Sequence, residues 1–170
     1  MENWYAVQVK TGKEEETAEL CRKIVSGEVL TESFIPRYER MKRYQGEWHK
    51  EQLTMFPGYI FLVTDRVEEL FQELKTVPEL TKILGTGGEF IPIRDQEKAL
   101  LQRLGNEKHV MEMSKGCIVG EQAVILSGPM KGLEGKIRKI DRHKRTAVLE
   151  AGMFGRQVDV KVGLEIVERL

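Results

Sequence analysis

Between Trp4 and Lys10 the chain alternates, with Tyr5, Val7 and Val9 on one side and Trp4, Ala6 and Gln8 on the other. That period of two predicts a strand. Thr11-Gly12-Lys13-Glu14 fits a capping box, and Glu14, Glu15 and Glu16 lie in the first turn, where the helix dipole favours anions. Thr17, Leu20, Cys21 and Ile24 then recur at helical spacing until Gly27 stops the helix. Val29–Tyr38 reads as extended. Further on, Pro57-Gly58 interrupts the apolar run Thr54–Val63. Proline fixes φ and donates no hydrogen bond, and glycine opens positive φ, so the pair bends the chain just before a strand, Tyr59–Val63. That strand is apolar on both faces, so it is either covered twice or lends one face to a partner. Asp65 opens a second helix with Val67, Leu70, Phe71 and Leu74 as its stripe, and Pro78 ends it. Leu84–Gly88 is a glycine-broken loop, and Phe90–Ile93 is a short strand that Pro92 pushes toward a sheet edge. Asp95 caps a third helix bearing Leu100, Leu101 and Leu104. This order predicts an α+β fold over residues 1–108, a ferredoxin-like βαββαβ sandwich.

Residues 109–117 are short and largely polar and read as a linker. From 118 to 170 the helical period disappears. Turn signals at Gly120, Gly128-Pro129, Gly132, Gly135, Asp141–Arg145, Gly152, Gly155 and Gly163 separate short strand candidates: Gln122–Leu126, Gly135–Ile140, Thr146–Ala151, Gln157–Val162 and Glu165–Val167. Strands of this length and spacing predict a small SH3-like β-barrel.

Composition narrows the function classes. The 170 residues suffice for two small cores, and 27 basic residues balance 27 acidic ones. Glu2 and Asn3 precede the first strand without a basic-then-apolar leader, and no apolar run reaches the roughly 18 residues of a membrane span. Cys21 and Cys117 make no disulfide framework, and Cys21 sits on the apolar stripe of the first helix, so it reads as core. A soluble, cytoplasmic monomer is expected. His49, His109 and His143 are far apart, no CxxC occurs, and no nucleophile or phosphate-loop motif is present; Gly85–Gly88 reads as a plain loop. Neither a metal, a cofactor nor catalysis is expected.

The balanced total hides local asymmetry. Residues 1–108 carry 16 basic and 19 acidic residues, and 109–170 carry 11 and 8. In Lys136–Arg145, Lys136, Arg138, Lys139, Arg142, Lys144 and Arg145 face only Asp141. Arg37–Lys50 carries Arg37, Arg40, Lys42, Arg43 and Lys50 against Glu39 and Glu47, interleaved with Tyr38, Tyr44, Trp48 and His49, and Gln45-Gly46 reads as a hairpin tip. Cations displace counterions from phosphate and aromatics stack on exposed bases, so both stretches are candidate nucleic-acid contacts, with a solvated hairpin as the plainer alternative for each.

Several motifs occur together and in order. Gly128-Pro129-Met130-Lys131-Gly132-Leu133-Glu134-Gly135 precedes Phe154-Gly155-Arg156 and the alternating Val158, Val160 and Val162. This resembles a KOW domain in the form it takes in the NusG family. The first domain agrees: Trp4-Tyr5, Phe56-Pro57-Gly58-Tyr59 and Pro92-Ile93 resemble a NusG N-terminal domain. The resemblance spans essentially the whole chain.

It implies a non-enzymatic transcription elongation factor. The first domain would sit on the clamp of RNA polymerase, with Trp4, Tyr5, Phe56, Pro57 and Tyr59 at the contact. The barrel would recruit a further partner, such as Rho or a ribosomal protein, through Met130, Leu133, Phe154 and Arg156. Nascent RNA or upstream DNA is the expected nucleic-acid partner. The chain departs from the housekeeping pattern at Met130, Leu133, Met153 and Lys161–Glu165. Those departures point to a specialised antitermination paralog of the LoaP type, with a housekeeping NusG or a general RNA-binding KOW protein as the alternatives.

Overall fold

The structure, a computed structural model, describes residues 3–75 and 90–167. Pro78 and the Leu84–Gly88 loop lie outside the described residues. In chain order the elements begin with β1 (Asn3–Gln8), α1 (Glu14–Ile24), β2 (Glu32–Phe34), β3 (Arg37–Tyr44), β4 (Glu47–Thr54), β5 (Tyr59–Thr64) and α2 (Val67–Lys75). They continue with β6 (Phe90–Pro92), α3 (Asp95–Leu104), β7 (Val110–Met111), β8 (Ser114–Val119), β9 (Gln122–Ser127), β10 (Ile137–Asp141), β11 (Thr146–Met153) and β12 (Arg156–Ile166). The chain forms two compact units, Met1–Ile35 with Phe56–Lys98, and Pro36–Met55 with Ala99–Leu170.

The first unit is built on an antiparallel sheet in the order β2-β5-β1-β6, the strand order of the expected ferredoxin-like sandwich. The alternation along β1 decides its two faces. Val7 joins Ile60, Leu62, Ala18, Cys21, Leu70 and Leu74 in one core, so this face lies under α1 and α2. Burying each such aliphatic side chain contributes about 1.5–3 kcal/mol. The opposite face carries Trp4 and Ala6 of β1 in register with Val63 and Phe61 of β5.

The helix starts differ from a full capping box. Lys13 occupies the N-cap position of α1 and makes no side-chain cap bond. Glu14 Oε1 instead accepts the N–H of Gly12, just ahead of the helix, at 2.6 Å. The same reach-back occurs at α3, where Glu97 Oε1 accepts the Arg94 N–H at 3.0 Å. In both cases a carboxylate of the first turn reaches back to a backbone N–H just ahead of the helix.

In the second unit, β3 and β4 form a hairpin whose tip is Gln45-Gly46, with φ of 55° and 76°. Positive φ at both positions is a type I′ turn, whose twist matches that of the strands it joins. β7 adds to β3 in parallel. The barrel sheet runs β10-β11-β12-β8-β9, with Cys117, Ile125, Met130, Leu149, Met153, Val160, Val162 and Leu164 buried. Two strands expected at Gln157–Val162 and Glu165–Val167 are one long strand, β12, antiparallel to β11 and parallel to β8.

The segment expected as a linker, 109–117, is drawn into two sheets, as β7 and the start of β8. Its polarity misleads because its backbone is satisfied remotely: Met113 N–H donates to Glu39 Oε1 at 3.1 Å. β3 also approaches β12 so closely that a Cβ on Gly163 would overlap the Glu39 carbonyl oxygen and Met113 Sδ.

Candidate docking and nucleic-acid surfaces

On the sheet face away from α1 and α2, aromatic rings form a continuous row. Trp4 meets Phe34 edge-on at 5.0 Å, Phe34 stacks on Phe61 at 5.5 Å, and Phe56 tilts against Phe61 at 6.1 Å. Such pairs contribute about 0.5–1.5 kcal/mol each beyond the area they bury. Lys98 of α3 lies over the Trp4 ring at 5.5 Å. Tyr59 continues the same face at the start of β5 and is half-buried, beside exposed Pro57.

The turn that presents Tyr59 is fixed from two sides. Val9 N–H donates to the Gly58 carbonyl at 2.8 Å, and Gly58 N–H donates to Glu14 Oε2 at 3.0 Å. Gly58 has φ of 86°, and a Cβ there would press on Thr11 Oγ1 at 3.3 Å, so glycine is required. Burial alone would raise the Glu14 carboxyl. The N–H donors of Gly58, Glu14 and Gly12 outweigh it and leave the pKa below its ordinary value.

The five residues expected at a polymerase contact do not share one surface. Phe56 and Trp4 are buried, at 6% and 7% exposure, and form the covered part of the aromatic row. Tyr5 projects to the opposite face, cross-strand from Leu62 and Pro92. Tyr59 and Pro57 alone combine accessibility with the aromatic face. Phe34 and Phe61 complete the row and were not singled out from sequence. Their signal is cross-strand register, Phe34 opposite Phe61, which a single strand pattern does not carry.

In the hairpin, Arg40 is bound to Glu51 at 2.7 Å, and Lys50 lies 4.0 Å from Glu39. Arg37 is half-buried, while Lys42 and Arg43 are exposed near the tip. Tyr44 stacks on His49 at 3.7 Å and 15°. In the barrel, Arg138 lies 3.5 Å from Glu150 and 3.8 Å from Asp159, and Arg145 lies 3.9 Å from Glu165. Lys136, Lys139, Arg142 and Lys144 are exposed. The two basic stretches meet where the Arg145 guanidinium lies over the Trp48 ring at 3.9 Å. A cation–π pair of this kind contributes about 0.5–2 kcal/mol.

Among the expected partner residues of the barrel, Met130 is fully buried and cannot touch a partner directly. Its N–H donates to Ser114 Oγ at 3.1 Å, and Gly128 lets the turn close on Ser114, where a Cβ would come within 2.6 Å. Met153, another departure from the housekeeping pattern, is also core. Leu133 and Phe154 are half-buried and Arg156 is exposed. Phe154 and Gly155 make the β11–β12 turn with φ of 59° and 74°. A bulky residue in that region is strained by about 1–2 kcal/mol. Among the described residues no group of three or more potential metal ligands is clustered, and no helix is long and apolar enough to cross a membrane.

Residues 2–102 match the NusG family, described as a transcription termination factor, and residues 119–150 match the KOW motif. The NusG transcription termination/antitermination proteins of Staphylococcus carnosus and Vibrio vulnificus are each 27% identical to the chain, across 98% of it and 95% of their own length. A solved structure described as domain interaction in Thermotoga maritima NusG shares the fold, with a TM-score of 0.54 and 23% identity over 96% of this chain and 94% of that one.

Proposed function

The chain belongs to the NusG family, and on that premise we propose that it is a non-enzymatic transcription elongation and antitermination factor that binds the clamp of RNA polymerase. The observation that carries this reading is the Tyr59 face. An aromatic row backs a half-buried tyrosine and an exposed proline on a turn held by Glu14. A rigid aromatic on a preorganised turn suits a contact that must hold through elongation, because little freedom is lost on binding. The exposed cations of the hairpin tip and of residues 136–144 support contact with nascent RNA or upstream DNA. Leu133, Phe154 and Arg156 are the residues left to meet a barrel partner, Rho or a ribosomal protein. The role places the protein in the cytoplasm.

Operon-specific action of the LoaP type is the finer reading. Met130 and Met153 no longer argue for it, since both fill the core. Val162 and Leu164 of the Lys161–Glu165 run are core as well, so it rests on Leu133, Lys161 and Glu165. Run-off transcription across a terminator, with and without the native upstream leader, tests it. Readthrough that rises only with the leader supports the specialised role, and equal readthrough on both templates supports the housekeeping one. No effect on polymerase with either template overturns the proposal.

A further inference from the structure

We infer that the tip of the β3–β4 hairpin is a stacking platform for an unpaired nucleobase, with Lys42 and Arg43 holding the adjoining phosphates. The inference rests on the nucleic-acid contact proposed above and assigns it a place and a ligand class, single-stranded nucleic acid.

The Tyr44–His49 pair is the first support. The rings are parallel within 15° at 3.7 Å, yet Tyr44 is 47% exposed. One face of the tyrosine is covered by the imidazole, so its exposure belongs to the other face and the ring edge. His49 Nε2 is buried and makes no hydrogen bond, so ring contact rather than a polar partner orients the imidazole. The second ring makes the platform wider and stiffer than a lone tyrosine on a two-residue turn would be.

The placement of charge is the second support. Lys42 is cross-strand from His49, and Arg43 is cross-strand from Trp48. Lys42 therefore shares the Tyr44–His49 face, two residues from Tyr44, while Arg43 projects to the other side of the ribbon. Arg40 and Lys50, lower in the hairpin, have carboxylates beside them, whereas Lys42 and Arg43 form no ion pair among the described residues. Glu47, opposite Tyr44, is the carboxylate nearest the turn. The tip thus offers an open ring face and two uncommitted cations within one turn of a rigid hairpin.

A base can lie on Tyr44 only if its own face is open. In a duplex both faces are covered by neighbouring pairs, whereas an unpaired base can be splayed onto an aromatic ring. Stacking is sequence-tolerant, and RNA and DNA single strands share this chemistry.

The test is fluorescence anisotropy of the full chain against labelled mixed-pyrimidine strands of about a dozen nucleotides, within the site sizes such platforms cover. RNA, DNA and duplex arms are run over a salt series. Tyr44→Leu is expected to weaken single-strand binding roughly 5- to 150-fold with an unchanged salt slope. Tyr44→Phe keeps the affinity. Lys42→Gln with Arg43→Gln flattens the slope by about 0.7 per lost contact. Tighter binding of the RNA or the DNA arm identifies which strand the tip serves. Unchanged binding by Tyr44→Leu, or duplex bound as tightly as single strand, overturns the inference. Polymerase retention is measured on the same variants. Its persistence in Tyr44→Leu keeps a failure here separate from a failure of the polymerase-binding proposal.

Discussion

The carboxylate of Glu14 accepts the backbone N–H of Gly58 at 3.0 Å, tying the first turn of α1 to the turn that presents Tyr59. Its other oxygen accepts the Gly12 N–H. A glutamine at this position has one acceptor oxygen, so Glu14→Gln leaves one N–H unpaired at a largely buried site. The expected loss is about 1–3 kcal/mol, measurable by denaturant unfolding. The pH dependence has a definite sign. The folded pKa lies below the ordinary value of 4.5, so the stabilisation is fully present above that value and is lost as pH falls through the folded pKa. Below about pH 4.5 the gap between wild type and Glu14→Gln should therefore narrow; a gap that widens on acidification contradicts the assignment.

Phe56 and Tyr59, two residues on either side of one turn, should respond in different ways. Phe56 is buried against Phe61, so Phe56→Ala should cost about 3–5 kcal/mol. Tyr59 is half-buried at the rim, and Tyr59→Ala should cost much less stability. Thermal unfolding of the two variants separates them, and equal costs would place Tyr59 in the core.

Gly163 should be intolerant of any side chain, because a Cβ overlaps the backbone of Glu39. Gly163→Ala is expected to destabilise by about 1–3 kcal/mol through overpacking. Gly152, whose Cβ would meet only Gln157 Nε2 at 3.9 Å, is the control, and Gly152→Ala should be neutral or slightly stabilising. Matching melting temperatures for the two variants would rule out the close approach of β3 to β12.

Lys139, Arg142 and Lys144 are exposed and form no ion pair among the described residues, whereas Arg138 is held between Glu150 and Asp159. Neutralising the first three to glutamine should flatten the salt dependence of RNA binding by about 0.7–0.9 in slope for each lost phosphate contact. Arg138→Gln should change it less, since that charge is already compensated. An unchanged slope in the triple variant would remove this turn from the nucleic-acid surface.

The principal strands and helices of residues 1–108 are legible in the sequence because their periods are local. β1, α1, β5, α2 and α3 each follow from the spacing of their own apolar residues. What escapes is whatever depends on a distant partner. Phe56 looks like a surface aromatic, but it belongs to a buried row that Phe34, brought opposite Phe61 by the β2–β5 register, helps to close. Met130 looks like an altered contact residue until Ser114 fixes its turn against the barrel core. Residues 109–117 look like a linker because the groups that satisfy them, Glu39 among them, are remote in the chain. The basic stretches are visible in composition, but which cations remain uncompensated is decided by carboxylates on other strands.

Whether the Tyr59 face binds polymerase is decided by retention of the purified chain on core RNA polymerase, compared for wild type and Tyr59→Ala after both are shown to be folded. Wild type should be retained, and Tyr59→Ala should lose at least about tenfold in affinity, which corresponds to 1.4 kcal/mol and is within reach of one interfacial tyrosine. Equal retention of the two folded proteins, or no retention of the wild type, would contradict the assignment of this face to the polymerase.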